Sequence, residues 1–232
     1  MKALRLKLFQ ETACYKKPLA FKVGETYPLP PYSTVKGFAH ALLEANQFIP
    51  MRISVQGCYE SKLVDYQTHY LFKKQNVDEF PLVTDGLGNQ PYVYQHMTKM
   101  PLYMHLLYRV KLLLHISADV NILEELQQRI IYADEHLSLG RREDLVRVDE
   151  CEITEIQELE EELMLPMNAY IPRHYLKYKS YVPYLLNWKY EIQNGVRRWE
   201  KIPVGYVPKG HSLIPGQGWK DAHEDPVIFH DQ

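Results

Sequence analysis

The sequence is poor in cysteine and has no cysteine pairing pattern. Cys14, Cys58 and Cys151 are odd in number, far apart and without C-x-x-C spacing. That argues against a disulfide framework and fits a reducing, cytoplasmic setting. No Gly-x-x-x-x-Gly-Lys-Ser/Thr loop is present, which argues against a nucleotide hydrolase. His-Glu-x-x-His is absent, and none of the 10 histidines pairs with another at zinc spacing on one short element. No metal and no cofactor are therefore expected. No apolar run approaches the ~20 residues that span a bilayer, and the N-terminus lacks the apolar stretch of a signal peptide. Net charge is also small, at −2 over 232 residues, so the overall balance does not announce nucleic acid.

What is present is unevenly placed. Lys2, Arg5, Lys7, Lys16, Lys17, Lys22 and Lys36 crowd the start of the chain against Glu11 and Glu25. Asp149 to Glu162 is strongly acidic, and Tyr170 to Gly210 is basic again. Blocks of opposite sign can polarise a surface at near-neutral balance. The length suits one large domain, or one domain with an appendage.

The chain is organised around Thr26-Tyr-Pro-Leu-Pro-Pro-Tyr-Ser-Thr-Val-Lys-Gly37. Its prolines fix φ and push the residues before them out of the α region, so the chain arrives extended. Val35, Phe38, Ala39, Leu42 and Leu43 then repeat at helical spacing, with Ser33 as the expected N-cap. Ser33, Thr34, Lys36 and Gly37 have two readings. They form a phosphate cradle at a helix N-terminus, or they form an ordinary capped helix with a lysine on its surface.

Periodicity predicts the remaining elements. Leu4, Leu6 and Leu8 oppose Arg5 and Lys7 in a first strand, whose basic face meets RNA or is merely solvated. Residues 52–59 and 62–74 read as strands. Asp85-Gly-Leu-Gly-Asn89 lies between Pro81–Thr84 and Tyr92–Tyr94 and reads as the turn of a protruding hairpin. Residues 101–117 alternate as one long strand. Asp119 caps a second helix through Val120, Leu123, Leu126, Ile130 and Ile131, and a strand follows at Val146 and Val148. This order predicts an α+β fold: a ferredoxin-like (RRM-like) core over 1–150, with a long hairpin inserted around 80–100. Residues 151–232 read as an acidic connection and a β-rich C-terminal extension, with a hairpin at Asn194-Gly195. The polar tail after Trp219 is expected to be loosely held.

Gly140-Arg-Arg142 offers close backbone approach and planar donor forks for phosphate or a base edge. It equally suits a turn whose arginines pair with Glu143 and Asp144. In the last third, tyrosines and tryptophans interleave with Lys and Arg. That pattern suits base stacking, a β-sheet core, or contact with a partner subunit.

Three segments together resemble the Cas-five family of CRISPR-associated proteins. They are the first strand with Ala13-Cys-Tyr-Lys-Lys-Pro18, the stretch Thr26–Gly37, and Leu139-Gly-Arg-Arg-Glu-Asp-Leu145. The last resembles the family's type I-B branch. The resemblance implies a subunit that caps the 5′ handle of the guide RNA (crRNA) in the Cascade surveillance complex, which targets DNA in antiviral defence. It implies docking of a Cas-seven family backbone subunit and a Cas-eight family large subunit. Contact with target DNA near the flanking motif is left open, and no membrane is involved. RNA contacts are expected at Tyr32, Ser33, Thr34, Lys36, Gly37, Gly140, Arg141 and Arg142, and the hairpin becomes a thumb over the guide. No catalytic residue is implied, because in that branch a separate Cas-six family nuclease cuts the precursor. The alternative is a metal-independent endoribonuclease that processes precursor crRNA, as in the type I-C branch. Lys111 and His115 with one of the tyrosines match its catalytic triad only loosely.

Overall fold

A computed structural model describes residues 1–18, 20, 23–72, 97–176 and 180–230. The first half contains β1 (Lys2–Ala13), β2 (Val23–Gly24), α1 (Tyr32–Leu42), β3 (Arg52–Cys58), β4 (Ser61–Phe72), β5 (Met97–Ser117), α2 (Val120–Ile131) and β6 (Arg147–Glu158). The second half adds β7 (Leu163–Met164), β8 (Asn168–Pro172), β9 (Val182–Gln193), β10 (Val196–Val207), β11 (Ser212–Leu213), β12 (Trp219–Asp221) and β13 (Pro226–Val227). No helix among the described residues is long and apolar enough to cross a membrane.

Alternation along the strands sorts their side chains onto two faces. Register places Leu4 beside Ile116 and Leu6 beside Leu114, and these in turn beside Ile53 and Val55. This apolar face packs against Val35, Phe38 and Ala39 of α1 and Leu123, Leu126 and Ile130 of α2. The strand order β6-β1-β5-β3, antiparallel at every step, is the ferredoxin-like order expected from the sequence. Strands β8, β10 and β9 extend the sheet beyond β3, while β12 and β13 extend it beyond β6. Much of the acidic stretch belongs to β6 itself, so the division expected at 150/151 falls within a strand.

The opposite face carries a polar row, Glu152–Arg5–His115–Ser54, set by register across four strands. The C-terminal segment lies over it. Asp221 accepts from Arg5 Nε at 2.9 Å and lies 3.0 Å from His115 Nε2. Asp225 accepts from Arg5 Nη2 at 2.7 Å, and Glu150 pairs with Arg5 Nη1. The Ile228 N–H donates to Ser54 Oγ at 3.0 Å. Val227, Ile228, Phe229 and His230 are all buried. Two expectations are thereby corrected. The tail is not loosely held, because its carboxylates are the partners of Arg5 and its apolar residues cover the sheet. Nor does the basic face of β1 meet RNA or water at Arg5, which carboxylates surround.

Strand β5 changes neighbour partway along. Its C-terminal half pairs with β3, from Arg52↔Ser117 to Cys58↔Lys111. Its N-terminal half pairs with β4, from Ser61↔Tyr108 to Phe72↔Met97. Arg109, at φ 52°, sits at the changeover. The β4–β5 pair is the stem of a long hairpin. The turn at Asp85–Asn89 and its flanks at 81–84 and 92–94 lie outside the described residues.

Strand directions then sort the loops. The end of β1, the start of α1, the β3-to-β4 changeover and the α2-to-β6 loop share one end of the sheet. Strand β10 ends at that same end, with Val207 beside Ala169 and Ala169 beside Gln56. The β9–β10 turn at Asn194-Gly195 therefore lies at the far end. Both of its residues have positive φ, as a two-residue hairpin turn requires.

Candidate nucleic-acid interface

Helix α1 begins two residues earlier than a Ser33 cap would allow. Pro31 occupies the cap position with extended backbone, and its carbonyl accepts from the N–H groups of Thr34 and Val35. No side chain caps the helix. Proline presets the entry angle, and Tyr32 becomes the first helical residue, turned into the core. Its ring stacks on His230 at 4.6 Å and meets Tyr170 edge-on at 6.1 Å. Lys36 is also turned inward, at 8% exposure. Its ammonium donates to the Trp188 carbonyl and lies over the rings of Trp188 and Phe48, at 4.6 and 5.2 Å. Burial, with Lys189 nearby, pushes the Lys36 pKa down. Tyr32 and Lys36 thus belong to the packing of α1 against β9 and the C-terminal segment. Ser33 and Thr34 remain half-buried and Gly37 is exposed. A Cβ added at Gly37 would meet nothing within 4 Å, so close packing does not require that glycine.

The second predicted motif divides in the same way. Asp144 is buried, and its carboxylate accepts from the Cys14 and Arg141 N–H groups at 2.9 Å each, and from Arg141 Nη2 at 2.7 Å. Arg141 also pairs with Glu143 at 2.9 Å. Gly140 has φ +115°, and a Cβ there would stand 2.8 Å from Asp144 Oδ2. Gln10 completes the brace, donating to the Leu139 and Asp144 carbonyls and accepting from the Tyr15 hydroxyl at 2.6 Å. Gly140 and Arg141 therefore build the turn that ties the 138–145 loop to the end of β1. Of the two arginines, Arg142 is the one left exposed.

The hairpin stem adds residues that the sequence pattern does not single out. Directly paired residues share a face, so Lys62, Val64, Tyr66, Tyr70, Lys99 and Tyr103 lie on one side of it. All six are exposed, Tyr66 by 60%. The Tyr66 and Tyr103 rings meet at 5.4 Å, and the Lys99 ammonium sits 5.4 Å over Tyr70. Alternation of this kind ordinarily marks a strand with one buried face, which is why it gives no sign of an open aromatic one. Exposed Lys16 lies at the same end of the sheet. Cations and exposed aromatic rings on an extended platform suit phosphate neutralisation and base stacking.

A family model described as CRISPR-associated protein (Cas_Cas5) matches residues 3–199. The chain belongs to the Cas5 family. Two solved structures share the fold of this Cas5 chain. One is a chain of a "CRISPR RNA-guided surveillance complex", at TM-score 0.54 and 14% identity, covering 92% of this chain and 91% of that one. The other is a "CRISPR protein from Archaeoglobus fulgidus", at TM-score 0.50 and 9% identity over 100% of both chains. No curated protein sequence matches this Cas5 chain.

Two histidines bear on RNA cleavage: His115, from the loose triad match, and His40, three residues beyond Gly37. His115 of the Cas5 chain is fully buried against Asp221. The His40 ring packs on Phe48 at 6.0 Å, and burial lowers its pKa. Lys111 is exposed, but the buried His115 is four residues along the strand. Among the described residues no cluster of His, Cys, Asp or Glu could hold a metal ion.

Proposed function

We propose that this chain is a non-catalytic RNA-binding subunit of a type I-B Cascade, holding the 5′ handle of the crRNA. The observation that carries this is the end of the sheet where Lys16, Arg142 and the Lys62–Tyr66–Lys99–Tyr103 face of the hairpin stem are all exposed. Membership of the Cas5 family supports the crRNA-binding part of this reading, and the resemblance of Leu139–Leu145 is what favours the type I-B branch. The handle lies along the stem and against the 138–145 loop. Lys16, Lys62, Lys99 and Arg142 meet its phosphates, and Tyr66 and Tyr103 stack on its bases. Ser33, Thr34 and Gly37 line the α1 start of the same end. A Cas-seven family backbone subunit docks over the hairpin, a Cas-eight family large subunit binds elsewhere on the chain, and the setting is cytoplasmic.

Incubating the pure protein with repeat RNA in EDTA tests the non-catalytic part. Intact RNA with retained binding is expected. Scission that is lost in His40→Ala would replace this reading with a processing endoribonuclease.

A further inference from the structure

The β9–β10 hairpin leaves the opposite end of the sheet, and one of its faces is built unlike a solvated hairpin. Ile192 faces Arg197 across the pair, and Tyr190 faces Trp199. Ile192 is 70% exposed. The Tyr190 and Trp199 rings meet at 5.1 Å, and the Arg197 guanidinium lies 4.6 Å over Tyr190. Cross-strand pairing puts Glu191 with Arg198 on the other face, so no carboxylate of the hairpin's paired positions offsets Arg197 here.

We infer that this face is a docking surface for a second protein subunit, which presents an apolar side chain flanked by carboxylates. Three features select that occupant. A largely exposed aliphatic beside Trp, Tyr and Arg is the composition of an interface anchor. The unmatched Arg197 calls for an acidic group opposite. A nucleic acid fits less well. Stacking needs an open ring face, yet Arg197 already covers Tyr190, and a base gains little from Ile192. The position also separates this surface from the proposed guide site, so both can be filled at once. The inference rests on the reading of the chain as a subunit of a guide-RNA complex.

A photoreactive benzoyl-phenylalanine placed at position 192 of the full chain, co-expressed with guide RNA and the other subunits, tests this directly. The expected product joins the chain to a protein peptide with an apolar residue beside Asp or Glu. Ile192→Asp with Arg197→Glu should weaken capture of that subunit at least tenfold and leave guide affinity unchanged. Changing the mapped carboxylates to lysine should restore capture by Arg197→Glu. Crosslinks to RNA, crosslinks to a second copy of this chain, or an assembled complex with no crosslink would each overturn the proposal. Absence of guide binding by the parent chain would instead overturn the reading beneath it.

Discussion

Arg141 and Arg142 are adjacent in sequence and opposite in environment. Arg141 holds a buried carboxylate, whereas Arg142 faces solvent. Arg141→Ala strands Asp144 and should cost about 1–3 kcal/mol, read from urea midpoints. Arg142→Ala should leave stability within about 0.5 kcal/mol and weaken guide binding. Equal stability losses in the two variants would contradict the division. A second residue-scale consequence concerns acid. Burial pushes the Asp221 pKa up, but hydrogen bonds from His115 and from the Asp225 and His223 N–H groups overcome it and hold the pKa at about 2, against an ordinary 3.8. The folded state keeps this carboxylate ionised where the unfolded chain protonates it. Its contribution, roughly 2 kcal/mol, is complete above the ordinary value and is lost as pH falls toward 2. His40 adds to the trend, since burial lowers its pKa below 6.5 and the unfolded chain takes up that proton first. Stability should fall on acidification, and Asp221→Asn should flatten the acid limb while lowering the plateau. An unchanged acid limb would remove Asp221 from the account.

Elements differ in how well the sequence announces them. Both helices and the long strands follow from local period, because burying one face imposes a repeat of 3.6 or 2. The Asn194-Gly195 turn follows from its demand for positive φ. What local pattern does not hold is partnership across distance. Lys36 resembles a surface cation at a helix start until Trp188, 152 residues away, supplies a carbonyl and a ring. Asp221 and Asp225 resemble a solvated tail until Arg5 is placed beneath them. The stem tyrosines mislead in the other direction, since alternation fixes which residues share a face and not whether that face is covered. Phe229→Ala should therefore cost about 3–5 kcal/mol, as for a core aromatic. Tyr66→Ala with Tyr103→Ala should leave the urea midpoint nearly unchanged and weaken guide RNA binding by about 1–3 kcal/mol for each base stack removed. A large drop in midpoint would show that the stem face is packed and not free.

At the scale of the molecule, a ferredoxin-like core has its helices on one face and its own C-terminal segment on the other. Both broad surfaces of the core are thereby occupied. Binding of other molecules is left to the ends, where one hairpin leaves beside the 138–145 loop and another leaves at the far side. The central claim is that guide RNA is held by exposed residues at the first end, and not by the inward-turned residues of the same motifs. Salt titration of guide-handle affinity tests this most directly. It would compare the parent chain, the Lys16→Ala/Lys62→Ala/Lys99→Ala/Arg142→Ala variant and the single variant Lys36→Met, with folding checked in each. The slope of log K against log salt should flatten by about 0.7 for each phosphate that is no longer neutralised, up to roughly 3 in the quadruple variant, and Lys36→Met should keep the parent slope. An unchanged slope in a folded quadruple variant, or a flattened slope in a folded Lys36→Met, would contradict the account.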